Sequence, residues 1–220
     1  MKKVYYSNAL EKGGESSKYF YTYSKRAIDI MVSLSLLVCL APLLCVFALA
    51  IIITSGRPIL FRQTRSGLNG TRFEIWKFRT MENIKNLKSL HSYDWSNGVP
   101  HNFCFEKPAS QKVTRIGKVY RKLSIDELPQ LLNVLRGEMS LVGPRPEIVE
   151  ITGLYNDQQA KRLTVKPGIT GYAQVNGRSI ITHGEKIEYD LYYIHNRSFI
   201  LDVKVILNTI VLVIRGKGAY

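Results

Sequence analysis

Residues 30–53 read IMVSLSLLVCLAPLLCVFALAIII, 24 positions without a charge. Roughly 20 apolar residues suffice to cross the hydrocarbon core of a bilayer, so this stretch decides how the rest is read. A helix apolar on every side is not needed in the core of a soluble domain of 220 residues. Nor does a signal peptide fit. Ala48-Leu49-Ala50 mimics a small-x-small cleavage site, yet the run exceeds the usual ~7–15 residues and starts too far into the chain. Membrane insertion is the expectation.

The flanks say how. Before the run comes KYFYTYSKR, residues 18–26, where aromatics alternate with cations as they do at a membrane–water interface. Lys2, Lys3, Lys12, Lys18, Lys25 and Arg26 precede the run; Arg57, Arg62, Arg65 and Arg72 follow it. The positive-inside rule holds both ends on the cytoplasmic side. Pro42, near the middle, removes a backbone hydrogen bond and bends the helix. A re-entrant helix that breaks at Pro42 and leaves by the face it entered satisfies both flanks. A kinked transmembrane helix, which tolerates proline, satisfies only one. The re-entrant arrangement is therefore the favoured reading.

The formal net charge is +14, from 31 Lys+Arg against 17 Asp+Glu, which points to polyanions: nucleic acid, an anionic membrane surface or phosphorylated substrates. Cys39, Cys45 and Cys104 are odd in number and lack metal-ligand spacing, so a disulfide framework is not expected and a reducing compartment fits. There is no solenoid repeat, low-complexity tract, P-loop or dinucleotide fingerprint.

Beyond the run, PILFRQTRSGLNGTRFEIWKFRTM alternates as two strands around Asn69-Gly70, a hairpin dipeptide. The period of two puts Lys77 and Arg79 on one face, and Trp76 and Phe78 on the other. Helices are expected over 82–90, RIGKVYRKL, about 128–135 with Gly137 as its stop, a stretch starting near Pro146, 184–196, and the amphipathic C-terminal FILDVKVILNTIVLVIR. That last helix suits either the membrane surface or the core. VKPGITGYAQVNGRS is too rich in glycine for a helix. The expected class is α+β and mostly helical. Residues 1–17 form a flexible tail, 18–56 the juxtamembrane and re-entrant segment, and 57–220 a membrane-associated catalytic domain built of a small β-hairpin and interfacial helices.

Chemistry gathers at LSIDELPQLLNVLRGEMSLVGPRPE, residues 123–147. Asp126 and Glu127 open a helix, and Ser124-x-x-Glu127 matches a capping box, which leaves the cap ambiguous between Ser124 and Asp126. A capping box does not account for two acids in succession. Lys77, Arg79 and Arg145 suit phosphate oxygens, and Pro144 and Pro146 restrict the backbone on both sides of Arg145. Gly168, Gly171 and Gly177 permit close backbone approach to a ligand, with Arg178 closing the segment. Cations around paired carboxylates at a bilayer suit phosphate chemistry, one acid holding a divalent metal and the other attacking phosphorus.

KRAIDI, FRQTRSG, FEIWKFRTM, TRIGKVYRKLSIDELPQLLNVLRGEMSLVGPRPE and KPGITGYAQVNGR closely resemble the bacterial sugar transferase family, the monotopic polyprenyl-phosphate phosphoglycosyltransferases. The resemblance runs from about Lys25 to the C-terminus. It implies transfer of a sugar 1-phosphate from a UDP-sugar to undecaprenyl phosphate, with UMP released, at the start of capsule, O-antigen, exopolysaccharide or glycoprotein glycan synthesis. It assigns Asp126 as the nucleophile, Glu127 as the Mg²⁺ ligand, and Arg145, Lys77 and Arg79 as phosphate-binding groups. Gly168, Gly171, Gln174, Gly177 and Arg178 fall in a region tied to the nucleotide sugar. It also implies the bacterial inner membrane with the catalytic domain on its cytoplasmic face. An oligomer and downstream glycosyltransferases stay open as partners; nucleic acid does not. Two departures stand out: Ala41-Pro42 replaces the family's frequent Ser-Pro, and Ser110-Gln111-Lys112 replaces its Asp-Pro-Arg. Residues 84–111 exceed a minimal connection and suit a specificity loop. Two rivals remain: a glycosyltransferase that releases UDP, and a non-catalytic binder of anionic lipid.

Overall fold

The apolar run folds as one helix. In the computed structural model, which describes residues 15–82, 95, 98–104, 112–177 and 181–216, α1 spans Glu15–Ser55 with Pro42 inside it rather than at a gap. The missing proline N–H removes one rung of the ladder, and helix continues on both sides. Among the described residues α1 is the one helix long and apolar enough to cross a membrane. Its most apolar window has a mean hydropathy of 3.1 and is 6% buried, so it is not packed within the core of this chain.

Both ends of α1 are fastened to the rest of the chain. Near its start, Tyr21 and Lys25 reach Asp202, at 2.9 and 2.7 Å. Arg26 donates to the carbonyls of Val134 and Leu135 at 2.6 and 3.0 Å, and Asp29 accepts from the Leu141 amide at 3.1 Å. Near its end, Leu44, Phe47, Ala48 and Ile51 pack on Phe78 and Tyr120, and Tyr120 donates to the Phe47 carbonyl at 2.8 Å.

Strands β1 (Leu60–Ser66) and β2 (Arg72–Phe78) form the expected antiparallel hairpin, with Leu60 opposite Phe78 and Ser66 opposite Arg72. Asn69 (φ 52°) and Gly70 (φ 76°) supply the left-handed turn conformations. The hairpin is followed by α2 (Arg115–Lys122) and α3 (Gln130–Arg136), and Gly137 at φ 86° ends α3 as expected. Then come β3 (Ser140–Val142), α4 (Val149–Thr152), α5 (Asp157–Ala160), β4 (Gly168–Thr170), α6 (Tyr172–Asn176), α7 (His183–Asn196) and α8 (Phe199–Ile214).

The expected helix from Pro146 is instead two single turns and a 3-10 turn, because Asn156 and Gln159 close a capping box that restarts the chain. The glycine-rich segment, expected to exclude a helix, holds strand β4 and the five-residue helix α6, because its glycines at 168, 171 and 177 flank rather than interrupt residues 172–176. β3 and β4 pair in parallel, Ser140 with Gly168 and Val142 with Thr170. On α8, Ile200, Val203, Leu207, Ile210 and Ile214 are exposed at helical spacing, while Asp202 and Val205 are buried. Position 82 is not helical, and the helix expected over 83–90, most of the 84–111 loop and residues 1–14 of the tail lie outside the described residues.

Candidate active site

Asp126 and Glu127 occupy a 3-10 turn, Ile125–Glu127, that feeds α3. The capping box does not form. Ser124 adopts φ 54° and its side chain caps nothing, and the N-cap of α3 is Pro129, again without a side-chain bond. Ionic hydrogen bonds are roughly twice as strong as neutral ones, and Glu127 spends its carboxylate on cations. Lys77 Nζ and Arg145 Nη2 both donate to Glu127 Oε1, each at 2.7 Å.

Three elements align this triad. α3 packs on β2, where buried Asn133 accepts from the Trp76 amide at 3.2 Å and donates to the Glu74 carbonyl at 2.7 Å. That latch fixes Lys77, the next residue of β2, against the turn holding Glu127. Arg145 follows β3, which β4 holds by parallel pairing.

The two carboxylates live in different fields. Burial alone would raise the Glu127 carboxyl, but Arg145 and Lys77 outweigh it and hold the acid well below the usual range. Asp126 is pushed up by burial and then by the adjacent Glu127 charge, with Lys77, Arg121 and Arg145 opposing. Among the described residues no hydrogen bond or ion pair reaches the Asp126 carboxylate. Neighbouring acids with environments that push them apart are suited to different roles.

Arg79 takes another course. β2 ends at Phe78, so the strand alternation no longer governs the residue after it. The Arg79 guanidinium donates to the carbonyls of Ser55, Gly56 and Arg57, capping the end of α1. Among the described residues it makes no hydrogen bond or ion pair to Lys77, Glu127 or Arg145.

Gly168 and Gly171 are explained by packing. A Cβ on either would overlap the Gly143 backbone, and the absence of one lets the Gly168 amide reach the Pro144 carbonyl and the Gly143 amide the Thr170 carbonyl, both at 2.9 Å. Gln174 donates to the Ile169 carbonyl at 3.1 Å. Gly177 lies against Ile181, and Arg178 is outside the described residues.

Two carboxylates, one of them held ionised, give hard oxygen donors of the kind Mg²⁺ uses when substrate phosphates and water complete its shell. Among the described residues no group of three or more acids, histidines or cysteines forms an all-protein cage. The donor set thus fits a metal shared with phosphate.

Sequence reasoning missed a second ionic cluster behind Arg145. Glu147 and Asp190 face Arg65, Arg162 and Lys186. Only Glu147 offered a signal, by its place beside Pro-Arg-Pro; buried charges far apart in the chain have no periodicity. An apolar pocket of about 750 Å³ is lined by Leu37, Leu44, Ala48 and Phe78 and by Pro129 and Leu132, which follow the acidic turn in the chain.

The family model described as Bacterial sugar transferase matches residues 20–216. The chain is 42% identical over 195 residues to the uncharacterized sugar transferase EpsL of Bacillus subtilis, covering 88% of this chain and 89% of that protein. It is 38% identical over 219 residues to a UDP-glucose:undecaprenyl-phosphate glucose-1-phosphate transferase of Caulobacter vibrioides, covering 96% and 77%. It is 37% identical over 211 residues to a UDP-N-acetylgalactosamine-undecaprenyl-phosphate N-acetylgalactosaminephosphotransferase of Aeromonas hydrophila, covering 90% of this chain but only 45% of that longer protein. With a match that takes in the hairpin, the acidic turn and the Pro-Arg-Pro loop, this chain belongs to the bacterial sugar transferase family.

Proposed function

We propose that the protein transfers a sugar 1-phosphate from a UDP-sugar to undecaprenyl phosphate through a covalent intermediate on Asp126. The observation that carries this is the division of labour in the acidic turn: Glu127 is neutralised by Lys77 and Arg145, while the carboxylate of its buried neighbour Asp126 makes no hydrogen bond or ion pair among the described residues. An Asp126 oxygen attacks the sugar-bearing phosphorus of the donor, and the bond from that phosphorus to the bridging oxygen breaks, releasing UMP. An oxygen of the lipid phosphate then attacks the same phosphorus and frees the carboxylate, leaving a polyprenyl-diphosphate sugar. Lys77 and Arg145 face the donor phosphates and offset charge as the leaving oxygen departs. Glu127 would hold Mg²⁺, which neutralises phosphate charge when bound. Gly168, Gly171, Gln174, Gly177 and Arg178 would border the nucleotide sugar, and Arg79 would act indirectly, by fixing the end of α1 beside β2.

The apolar pocket beside Pro129 supports acceptance of a lipid substrate there. The fastening of both ends of α1 to one small domain supports the re-entrant reading, because a straight span sets its ends about 30 Å apart across the bilayer. The exposed face of α8 supports contact with the same membrane surface. In this reading the domain lies on the cytoplasmic face of the bacterial inner membrane. Topology is tested with Tyr23→Cys and Ile53→Cys after Cys39, Cys45 and Cys104 are changed to serine. Both positions should react with an impermeant thiol reagent in inside-out vesicles and neither in spheroplasts. Labelling on opposite sides would establish a span.

Chemistry is tested by incubating protein in nanodiscs with Mg²⁺ and a panel of UDP-sugars, without acceptor lipid, and recording intact mass. The expected result is a phosphosugar adduct on the wild type and none on Asp126→Asn. Release of UDP instead of UMP overturns the proposal in favour of plain glycosyl transfer. Lipid binding with no nucleotide release from any donor favours a non-catalytic lipid binder.

A further inference from the structure

The Pro-Arg-Pro-Glu segment hangs by its carbonyls. Pro144 and Pro146 have no N–H, so the loop offers few donors. Each of its four carbonyls has a separate partner: Pro144 the Gly168 amide at 2.9 Å, Arg145 the Arg162 Nη2 at 2.7 Å, Pro146 the Arg65 Nη1 at 3.5 Å, and Glu147 the Ser66 amide at 2.9 Å. Among the described residues, Arg162 alone donates to the Arg145 carbonyl.

Arg162 is in turn immobilised. It is 2% exposed. Its Nε donates to Asp190 Oδ2 at 2.7 Å, and its Nη1 to the Tyr155 hydroxyl at 2.7 Å and Glu147 Oε2 at 3.3 Å. Three fixed acceptors leave Nη2 aimed at the Arg145 carbonyl. On the other side of that residue, the Arg145 side chain meets Glu127. A continuous line of bonds therefore runs from Asp190 on α7 through Arg162 and Arg145 to the acidic turn. Well-packed apolar groups often replace a buried ionic cluster at no loss of stability, but they could not hold a carbonyl in register.

We propose that Arg162 is a positioning residue: it fixes the Arg145 backbone so that the Arg145 guanidinium arrives at Glu127 and, with it, at the donor phosphate. This rests on the transferase reading above. Lysine at this position keeps the charge but has a single nitrogen, which cannot bridge Asp190, Glu147 and the Arg145 carbonyl together.

The test is a double-mutant cycle of Arg162→Lys with Arg145→Ala, reading kcat for UMP release in nanodiscs, with exchange of the Gly168 and Ser66 amides, which hold the Pro144 and Glu147 carbonyls, as a readout free of turnover. Arg162→Lys should lower kcat by about ten- to a hundredfold in the wild-type background. In the Arg145→Ala background it should cost less than about twofold, since the residue it acts through is gone. Exchange at the two amides should quicken. Equal losses in both backgrounds, wild-type kcat or unchanged exchange each overturn the proposal. If Arg162→Lys does not fold, Asp190→Asn, which loosens Arg162 while retaining it, is judged by the same criteria. A wild type that releases no UMP with any donor overturns the transferase reading instead, and the exchange result still decides the role of Arg162.

Discussion

Glu127 receives two cations on a single oxygen, so its charge and theirs form one unit. Glu127→Gln should abolish turnover and, by leaving Lys77 and Arg145 uncompensated, lower the unfolding free energy by about 3 kcal/mol; a denaturant melt and UMP release check the two effects separately. Asn133 is fully buried and serves both the Trp76 amide and the Glu74 carbonyl. Asn133→Ala should cost about 2–4 kcal/mol through the orphaned backbone groups, and kcat should drop as Lys77 drifts from the turn. His183 lies against the rings of Tyr155 and Phe103, and burial lowers its pKa from 6.5 to about 4. The unfolded chain binds that proton more readily, so the stability due to neutral His183 is complete above pH 6.5 and disappears as pH falls toward 4. Melting temperature should decline across that window, and His183→Gln should flatten the decline. The paired acids of the turn, and Lys77 and Arg145 that meet Glu127, were legible from residue type and neighbourhood. Arg162 and Asp190 were not, because their meaning comes from a partner 28 positions away.

Helix α7 carries Asp190 and Lys186, and it begins with a closed capping box: Thr182 Oγ1 accepts from the Glu185 amide at 3.2 Å, and Glu185 Oε2 accepts from the Thr182 amide at 2.8 Å. Thr182→Ala should cost about 1 kcal/mol, lowering the melting temperature by about 2–4 °C. Where local chemistry dictates an element, the sequence was readable: Asn69-Gly70 made the hairpin, Gly137 ended α3, and α7 and α8 followed their apolar spacing. It failed where distant groups overrule local preference. The β3–β4 pairing joins two three-residue strands across the whole Pro-Arg-Pro region, and nothing within either strand announces the other. Ser124-x-x-Glu127 carried a sound local signal, but charge-assisted bonds to Lys77 and Arg145 captured the glutamate.

Across the whole molecule, apolar surface is concentrated on α1 and α8, whose starts meet through Tyr21 and Phe199, with ring centroids 5.1 Å apart. α1 is also structural mortar. Arg26 takes up carbonyls at the end of α3, Asp29 holds the Leu141 amide of β3, and Lys25 answers the buried Asp202. The far end of α1 completes the cluster around Phe78 and Tyr120, and Arg79 caps the Ser55 carbonyl of α1 and the Gly56 and Arg57 carbonyls just after it. This apolar helix is thus no detachable tether. A chain started at Arg57 should not give a soluble, cooperatively melting enzyme, nor should grafting an unrelated anchor rescue it, whereas restoring α1 in trans as a peptide in the same nanodisc should recover some folded protein. Modularity stops at this helix: membrane attachment and catalytic architecture are one inheritance, and neither can be exchanged without the other.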